Sequence, residues 1–138
     1  MKKDDCIFCK LANGDIPTRI IFEDDEFAVF MDAAPASKGH ALVVPKDHYC
    51  CLFELPEEKA AKAIKVAKKV AEKMKEELNI DGLNIVQNNG EVAGQTVFHY
   101  HMHVIPRYNA DDNDGVIKWN QHEYDDATMD ELQKKLKF

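Results

Sequence analysis

Arginine is nearly missing from this chain of 138 residues. Arg19 and Arg107 are the only two among 18 basic side chains, which face 25 acidic ones for a net charge of −7. A sequence-independent grip on nucleic acid or on an anionic membrane needs a basic patch, so partners of both kinds are excluded. A single small phosphorylated ligand held by local groups is not excluded. Long apolar runs are missing too: the longest are a few residues, whereas a bilayer-spanning helix needs about 20. Met1-Lys2-Lys3-Asp4-Asp5 has no apolar segment behind its lysines, so no signal peptide is expected. Repeats, low-complexity tracts and linkers are absent. A cytoplasmic location is the expectation, and it disfavours structural disulfides.

What is present fits one domain over 1–138, with 45% hydrophobic and 31% charged residues. A chain of this length buries roughly 68–70% of its unfolded surface. The start, Cys6–Ala12, suits a short helical turn stopped by Asn13-Gly14-Asp15 and Pro17. Ile20-Ile21-Phe22 and Phe27-Ala28-Val29-Phe30, separated by four acidic residues, predict a hairpin, and Ala41–Val44 predicts a further strand. A long helix begins near Pro56, with Glu57 and Glu58 in its first turn. Its apolar stripe is read as Ala60, Ala63, Ile64, Ala67, Ala71, Met74 and Leu78, with lysines over most of the other face. Leu83–Gln87 and Val97–Pro106 predict two more strands, an Asp-rich loop follows Arg107, and Leu132–Phe138 predicts a terminal helical turn. Strands, one long helix, then strands again make an α+β fold with an antiparallel sheet. The helix covers one face and leaves the other for chemistry.

Four cysteines and six histidines carry the functional signal. Cys6-Ile7-Phe8-Cys9 reads as half a metal site or as a redox pair, and vicinal Cys50-Cys51 as small buried hydrophobes. In a strand, His99, His101 and His103 line one face about 6.6–7 Å apart, while Phe98, Tyr100, Met102 and Val104 face the helix. Two chemistries compete for that row. One is a three-histidine metal centre with an open position; the other is phosphoryl chemistry with a neutral imidazole as nucleophile. The preceding Asn88-Asn89-Gly90-Glu91-Val92-Ala93-Gly94-Gln95-Thr96 turn favours the second, because backbone N–H groups there can form an anion nest and Gln95 and Thr96 add side-chain donors.

Gly94-Gln95-Thr96-Val97 running into His-x-His-x-His resembles the histidine-triad (HIT) family of nucleotide hydrolases and transferases. The match extends to Cys6–Lys10, Gly14-Asp15-Ile16-Pro17, Glu23-Asp24, Asp32, Gly39-His40, Pro45-Lys46-x-His48 and Asn88. It covers about residues 6–108 and leaves 109–138 as a variable tail. Within the family the chain is similar to the HINT-like purine nucleoside phosphoramidases in their bacterial, zinc-containing style.

The resemblance implies a HIT-like fold: an antiparallel sheet of about five strands, one long helix and a short N-terminal helix. It puts the nucleophile on His101, a phosphate contact on His103 and the fourth family histidine on His40. Gln95 and Thr96 fall on phosphate or leaving-group positions, Asp32 and Asn88 on ribose positions, and Phe8, Leu11 and Phe30 around the base. Ala33 stands where a larger apolar residue is common, which loosens the base pocket. Cys6, Cys9, His48 and His99 fall on the ligands of a closed, structural Zn2+ site, with no organic cofactor. The implied activity is hydrolysis of purine nucleoside 5′-phosphoramidates or similar conjugates of AMP or GMP, through a nucleotidyl-histidine intermediate, by a homodimer joined through the long helix and a strand. A dinucleoside polyphosphate hydrolase and a non-catalytic nucleotide- or partner-binding protein are the alternatives. His122, Cys50 and Cys51 have no assigned place.

Overall fold

A computed structural model describes residues 1–109 and 117–138. The Asp-rich loop expected after Arg107 lies largely outside the described residues.

Strands β1 (Ile20–Glu23) and β2 (Phe27–Met31) pair antiparallel. Asp24 closes their turn, its Oδ1 accepting the N–H groups of Glu26 at 2.8 Å and Phe27 at 2.7 Å, a local bond that favours aspartate at turns. Strand β3 (Ala41–Pro45) follows, then α2 (Glu57–Glu77), β4 (Gly82–Val86) and β5 (Met102–Arg107). The five-stranded sheet has the order β1-β2-β3-β5-β4, antiparallel throughout. The last strand is therefore inserted between β3 and β4, which puts the end of the histidine segment inside the sheet and not at its edge.

Helix α2 packs Ala63, Val66, Ala67, Val70 and Met74 on Phe27, Val29, Val43, Tyr100, Met102 and Val104. The stripe thus differs from the expected one: Ile64 is 48% exposed, and Val66 and Val70 are inside. The contact face is centred on 63, 67, 70 and 74, and Ile64 lies one 100° step around the helix from it. The opposite sheet face is not wholly free. Helix α1 (Ile7–Ala12) sets Ala12, Phe8 and Leu11 on Ala28, Phe30, Leu42 and Val44.

The histidine strand is shorter than expected. Regular pairing begins only at Met102, where β3 contributes Val43↔Met102, Leu42↔His103 and Ala41↔Val104. Further back the partners change: Tyr100 N–H donates to the Tyr49 carbonyl at 2.6 Å, and the Pro45 carbonyl bonds the His99 ring. Tyr100, Met102 and Val104 still join the core under α2, but Phe98 is 49% exposed and does not. The C-terminal helix α3 (Asp126–Leu136) is longer than the turn read at Leu132–Phe138. Asp125 caps it, accepting the Thr128 N–H at 2.8 Å, and none of its residues is buried.

Gly39 sets the approach to His40. Its φ is +94°, and a Cβ there would lie 2.8 Å from Leu78 Cδ1 and 3.2 Å from Pro106 Cγ. Left-handed backbone and overpacking act together, so Gly39→Ala is expected to lower stability by about 1–3 kcal/mol. The denaturant midpoint of the variant checks this.

Candidate active site and metal centre

The period-two histidines divide between two clusters. His99 turns to the N-terminal helix, where Cys6 serves as N-cap of α1 and Cys9 lies in its first turn. Cys6 Sγ and Cys9 Sγ lie 3.3 Å and 3.4 Å from Nδ1 of His99, and Cys9 Sγ lies 3.4 Å from Nδ1 of His48. All four ligand atoms fall within 4.8 Å of one another. Tetrahedral Zn2+ with ordinary bonds would separate sulfur from nitrogen by about 3.5 Å, so two thiols and two imidazoles at these spacings fit that ion. The Pro45 carbonyl accepts a hydrogen bond from His99 Nε2–H at 2.8 Å, which keeps the ring proton on Nε2 and leaves Nδ1 as a lone pair aimed at the cysteines. Burial pushes the Cys9 thiol up, holds His48 below its ordinary value and takes His99 down to about 4. A bound cation would hold both thiols as thiolates. The three triad rings do not converge as an open metal centre, because His101 and His103 point elsewhere.

His101 is buried, 6% exposed, and its Nδ1 lies 2.7 Å from the His99 carbonyl oxygen. A carbonyl only accepts, so Nδ1 carries the proton and Nε2 keeps a free lone pair. Phe8 stands edge-on to this ring at 4.9 Å between centroids and edge-on to Phe30 at 5.6 Å. His103 adjoins it at 5.0 Å, and Nδ1 of His103 lies 2.9 Å from Nε2 of His40. Asp32 Oδ2 is 3.4 Å from that same His40 nitrogen. Burial is the first cause holding His40 and His101 below the ordinary imidazole range, and it takes His103 to about 4. All three rings are therefore neutral at pH 7.

Neutral burial of His103 has a consequence for stability. In the unfolded chain its ring binds a proton near pH 6.5, while the folded chain resists protonation until about pH 4. Between these values the unfolded state holds more protons, so the contribution is complete above pH 6.5 and is lost as pH falls toward 4. His103→Asn is expected to flatten the fall of Tm across that window relative to wild type, as read by calorimetry at stepped pH.

The remaining expected site residues occupy distinct settings. Asp32 is half-buried, with Oδ1 accepting the Ala34 N–H at 2.8 Å. Asn88 is half-buried, Thr96 and Ala33 are exposed, Leu11 is half-buried, and Phe30 is a core residue at 2% exposure. Gln95 is 1% exposed and its amide is committed to backbone: Oε1 accepts the Gly90 N–H at 2.8 Å, and Nε2 donates to the carbonyls of Cys50 at 2.7 Å and Val97 at 3.0 Å. Several of the loop's amides are committed as well. Besides Gly90, the N–H groups of Ala93, Gly94 and Gln95 bond carbonyls inside the loop, so the nest is narrower than the glycines suggested. Three groups with no sequence signature complete the site: the carbonyls of Pro45 and His99, and the Ala36 N–H, which donates to Nδ1 of His40 at 2.9 Å. Cys50 and Cys51 are half-buried, and His122 is exposed.

No helix among the described residues is long and apolar enough to cross a membrane. A family model described as the HIT domain matches residues 13–110. An uncharacterized HIT-like protein of Methanocaldococcus jannaschii is 46% identical over 132 residues, covering 96% of this chain and 98% of that protein. A Saccharomyces cerevisiae protein named adenosine 5′-monophosphoramidase is 37% identical over 132 residues, covering 95% of this chain and 80% of its own. Among solved structures, a HIT family protein from Bacillus anthracis superposes with a TM-score of 0.88 at 40% identity, covering 98% of this chain and 96% of that one. A zinc-bound histidine triad family protein from Mycobacterium smegmatis gives 0.75 at 35% identity, covering 95% and 97%.

Proposed function

The chain belongs to the HIT family, and from that premise we propose that it hydrolyses purine nucleoside 5′-phosphoramidates or similar nucleotidyl conjugates through a nucleotidyl intermediate on His101. The observation that carries this reading is the free Nε2 of a neutral, buried His101, whose proton is held on Nδ1 by the His99 carbonyl at 2.7 Å. In the first step Nε2 bonds the α-phosphorus, and the bond from phosphorus to the leaving nitrogen breaks. That nitrogen keeps the bonding pair, takes a proton from solvent water and departs as an amine. Water then attacks the phosphorus, gives up a proton, and releases the nucleoside monophosphate and the imidazole. His103, beside the nucleophile, contacts the phosphoryl oxygens, and Asp32 with Asn88 holds the ribose hydroxyls.

Phe8 and Leu11 border the base over the Phe30 core, and Thr96 lies on the side of the leaving group. Gln95 supports the site as the brace of its loop. Zn2+ at Cys6, Cys9, His48 and His99 would be structural, tying α1 to the segment that carries the nucleophile. The edge of β4 with Ile85, which pairs with no further strand among the described residues, together with the exposed Ile64 of α2, supports a homodimer.

The decisive comparison is initial rate on adenosine 5′-phosphoramidate against a diadenosine polyphosphate. The phosphoramidate is expected to have the higher kcat/KM by at least about tenfold, or 1.4 kcal/mol. Equal rates, or faster cleavage of the polyphosphate, overturn the substrate assignment.

A further inference from the structure

Asp32, His40 and His103 bring one carboxylate oxygen and two ring nitrogens within 4.8 Å of one another. By residue type this is a facial set of the kind that binds divalent transition metals. The hydrogen bonds say otherwise. The loop over 32–40 is pinned at several points: Asp32 N–H donates to the His40 carbonyl at 3.0 Å, Ser37 Oγ to the Pro106 carbonyl at 2.6 Å, and Tyr108 OH to the Lys38 carbonyl at 2.5 Å. Pinned in this way, it aims the Ala36 N–H at Nδ1 of His40, 2.9 Å away. A peptide N–H only donates, so Nδ1 of His40 carries no proton and a neutral ring must carry it on Nε2. That proton points at Nδ1 of His103, 2.9 Å away, with Asp32 Oδ2 sharing it at 3.4 Å. Nδ1 of His103 is then an acceptor, and its proton is on Nε2.

We infer that the backbone amide of Ala36 is a positioning group for the reaction, fixing the tautomers of His40 and His103 so that His103 meets the phosphate as a neutral N–H donor and the cluster refuses a divalent cation. Resting on the function proposed above, this assigns opposite tautomers to adjacent rings of the triad. His101 has Nδ1 protonated and Nε2 free to attack; His103 has Nδ1 occupied and Nε2–H free to donate. A preorganised donor of this kind stabilises charge building on a phosphoryl oxygen. His103 is a poor proton source, because surrendering its Nε2 proton while taking the His40 proton would leave His40 anionic. Metal binding meets the same obstacle. Ligation through Nε2 of His40 requires the ring proton to move to Nδ1, where it faces the Ala36 N–H and two donors oppose each other.

The test uses the zinc-loaded full chain with nitrogen-15 histidine, its ring signals assigned through His40→Asn and His103→Asn. Long-range proton–nitrogen correlations are expected to show His40 and His103 protonated at Nε2 and bare at Nδ1, with His101 reversed. A His40 ring protonated at Nδ1 overturns the inference. Ala36→Pro removes the donor. It is expected to lower kcat on the phosphoramidate by about 10–100-fold with KM little changed, and to become sensitive to micromolar Ni2+ that leaves wild type unaffected. A folded Ala36→Pro with wild-type kcat and wild-type response to Ni2+ also overturns it. If that variant does not fold, the wild-type spectra decide alone. They also stand apart from the substrate assignment, since the tautomers are read without turnover.

Discussion

Replacing His101 by asparagine is expected to lower kcat on a nucleoside phosphoramidate by about 10^4-fold or more, the scale seen when a covalent nucleophile is removed. Asparagine is chosen because its side-chain amide can still donate to the His99 carbonyl that holds Nδ1 at 2.7 Å, while the attacking Nε2 is gone. His101→Ala removes both, opening space beside Phe8, whose ring stands 4.9 Å away. The two variants should therefore share the activity loss and differ in stability, with alanine the less stable. Both should still bind AMP, because Asp32, Asn88 and His103 are untouched. Steady-state rates, thermal unfolding and AMP titration make the comparison. Wild type quenched during turnover should carry a nucleotidyl mass on His101 that neither variant shows. Activity within tenfold of wild type in His101→Asn would sink the covalent mechanism.

The second large effect is loss of the metal. Cys9 is fully buried, and its thiol lies 3.4 Å from the ring nitrogens of both His48 and His99. A cation bound there ties α1 to the loop after β3 and to the segment entering β5, three parts of the chain far apart in sequence. Ligand binding to the folded state alone adds about 2.7 kcal/mol at a hundredfold excess over Kd, and each kcal/mol moves Tm by several degrees in a domain of this size. Cys9→Ser is therefore expected to lose the metal and roughly 10 °C or more in Tm. Activity should fall with it, because the His99 carbonyl that orients His101 belongs to the same cluster. Cys50→Ser, which touches no ligand, should keep both metal and Tm. Metal analysis beside calorimetry gives the answer. A chelator that abolishes activity while Tm stays fixed would instead make the metal catalytic.

The elements that carry the site were legible because they are local. The hairpin around Asp24, the strand at Ala41–Pro45 and the long helix over 57–77 follow from turn chemistry and periodicity. The misreadings have long-range causes. Ile64 and Val66 are both apolar, and only the angle at which α2 meets the sheet chose between them. Val97–His101 alternates like a strand, yet the strand starts only at Met102, because the segment before it meets Tyr49 and Pro45 where a neighbouring strand would be. Gln95 looked like a free donor because nothing in its surroundings along the chain announces the Cys50 carbonyl that claims it.

Sequence by itself determined the inventory: only two arginines, a Cys-x-x-Cys pair, three histidines at period two and a glycine-bearing turn before them. Tertiary structure alone decided how that inventory is divided. It sent His99 to the thiols and set His101 and His103 apart from them, and it chose which nitrogen of each ring is free. The groups that made those choices are the Pro45 and His99 carbonyls and the Ala36 amide. A carbonyl is common to all residues and an amide N–H to all but proline, so no side-chain pattern marks the few that matter. Their roles come only from where the folded chain brings them.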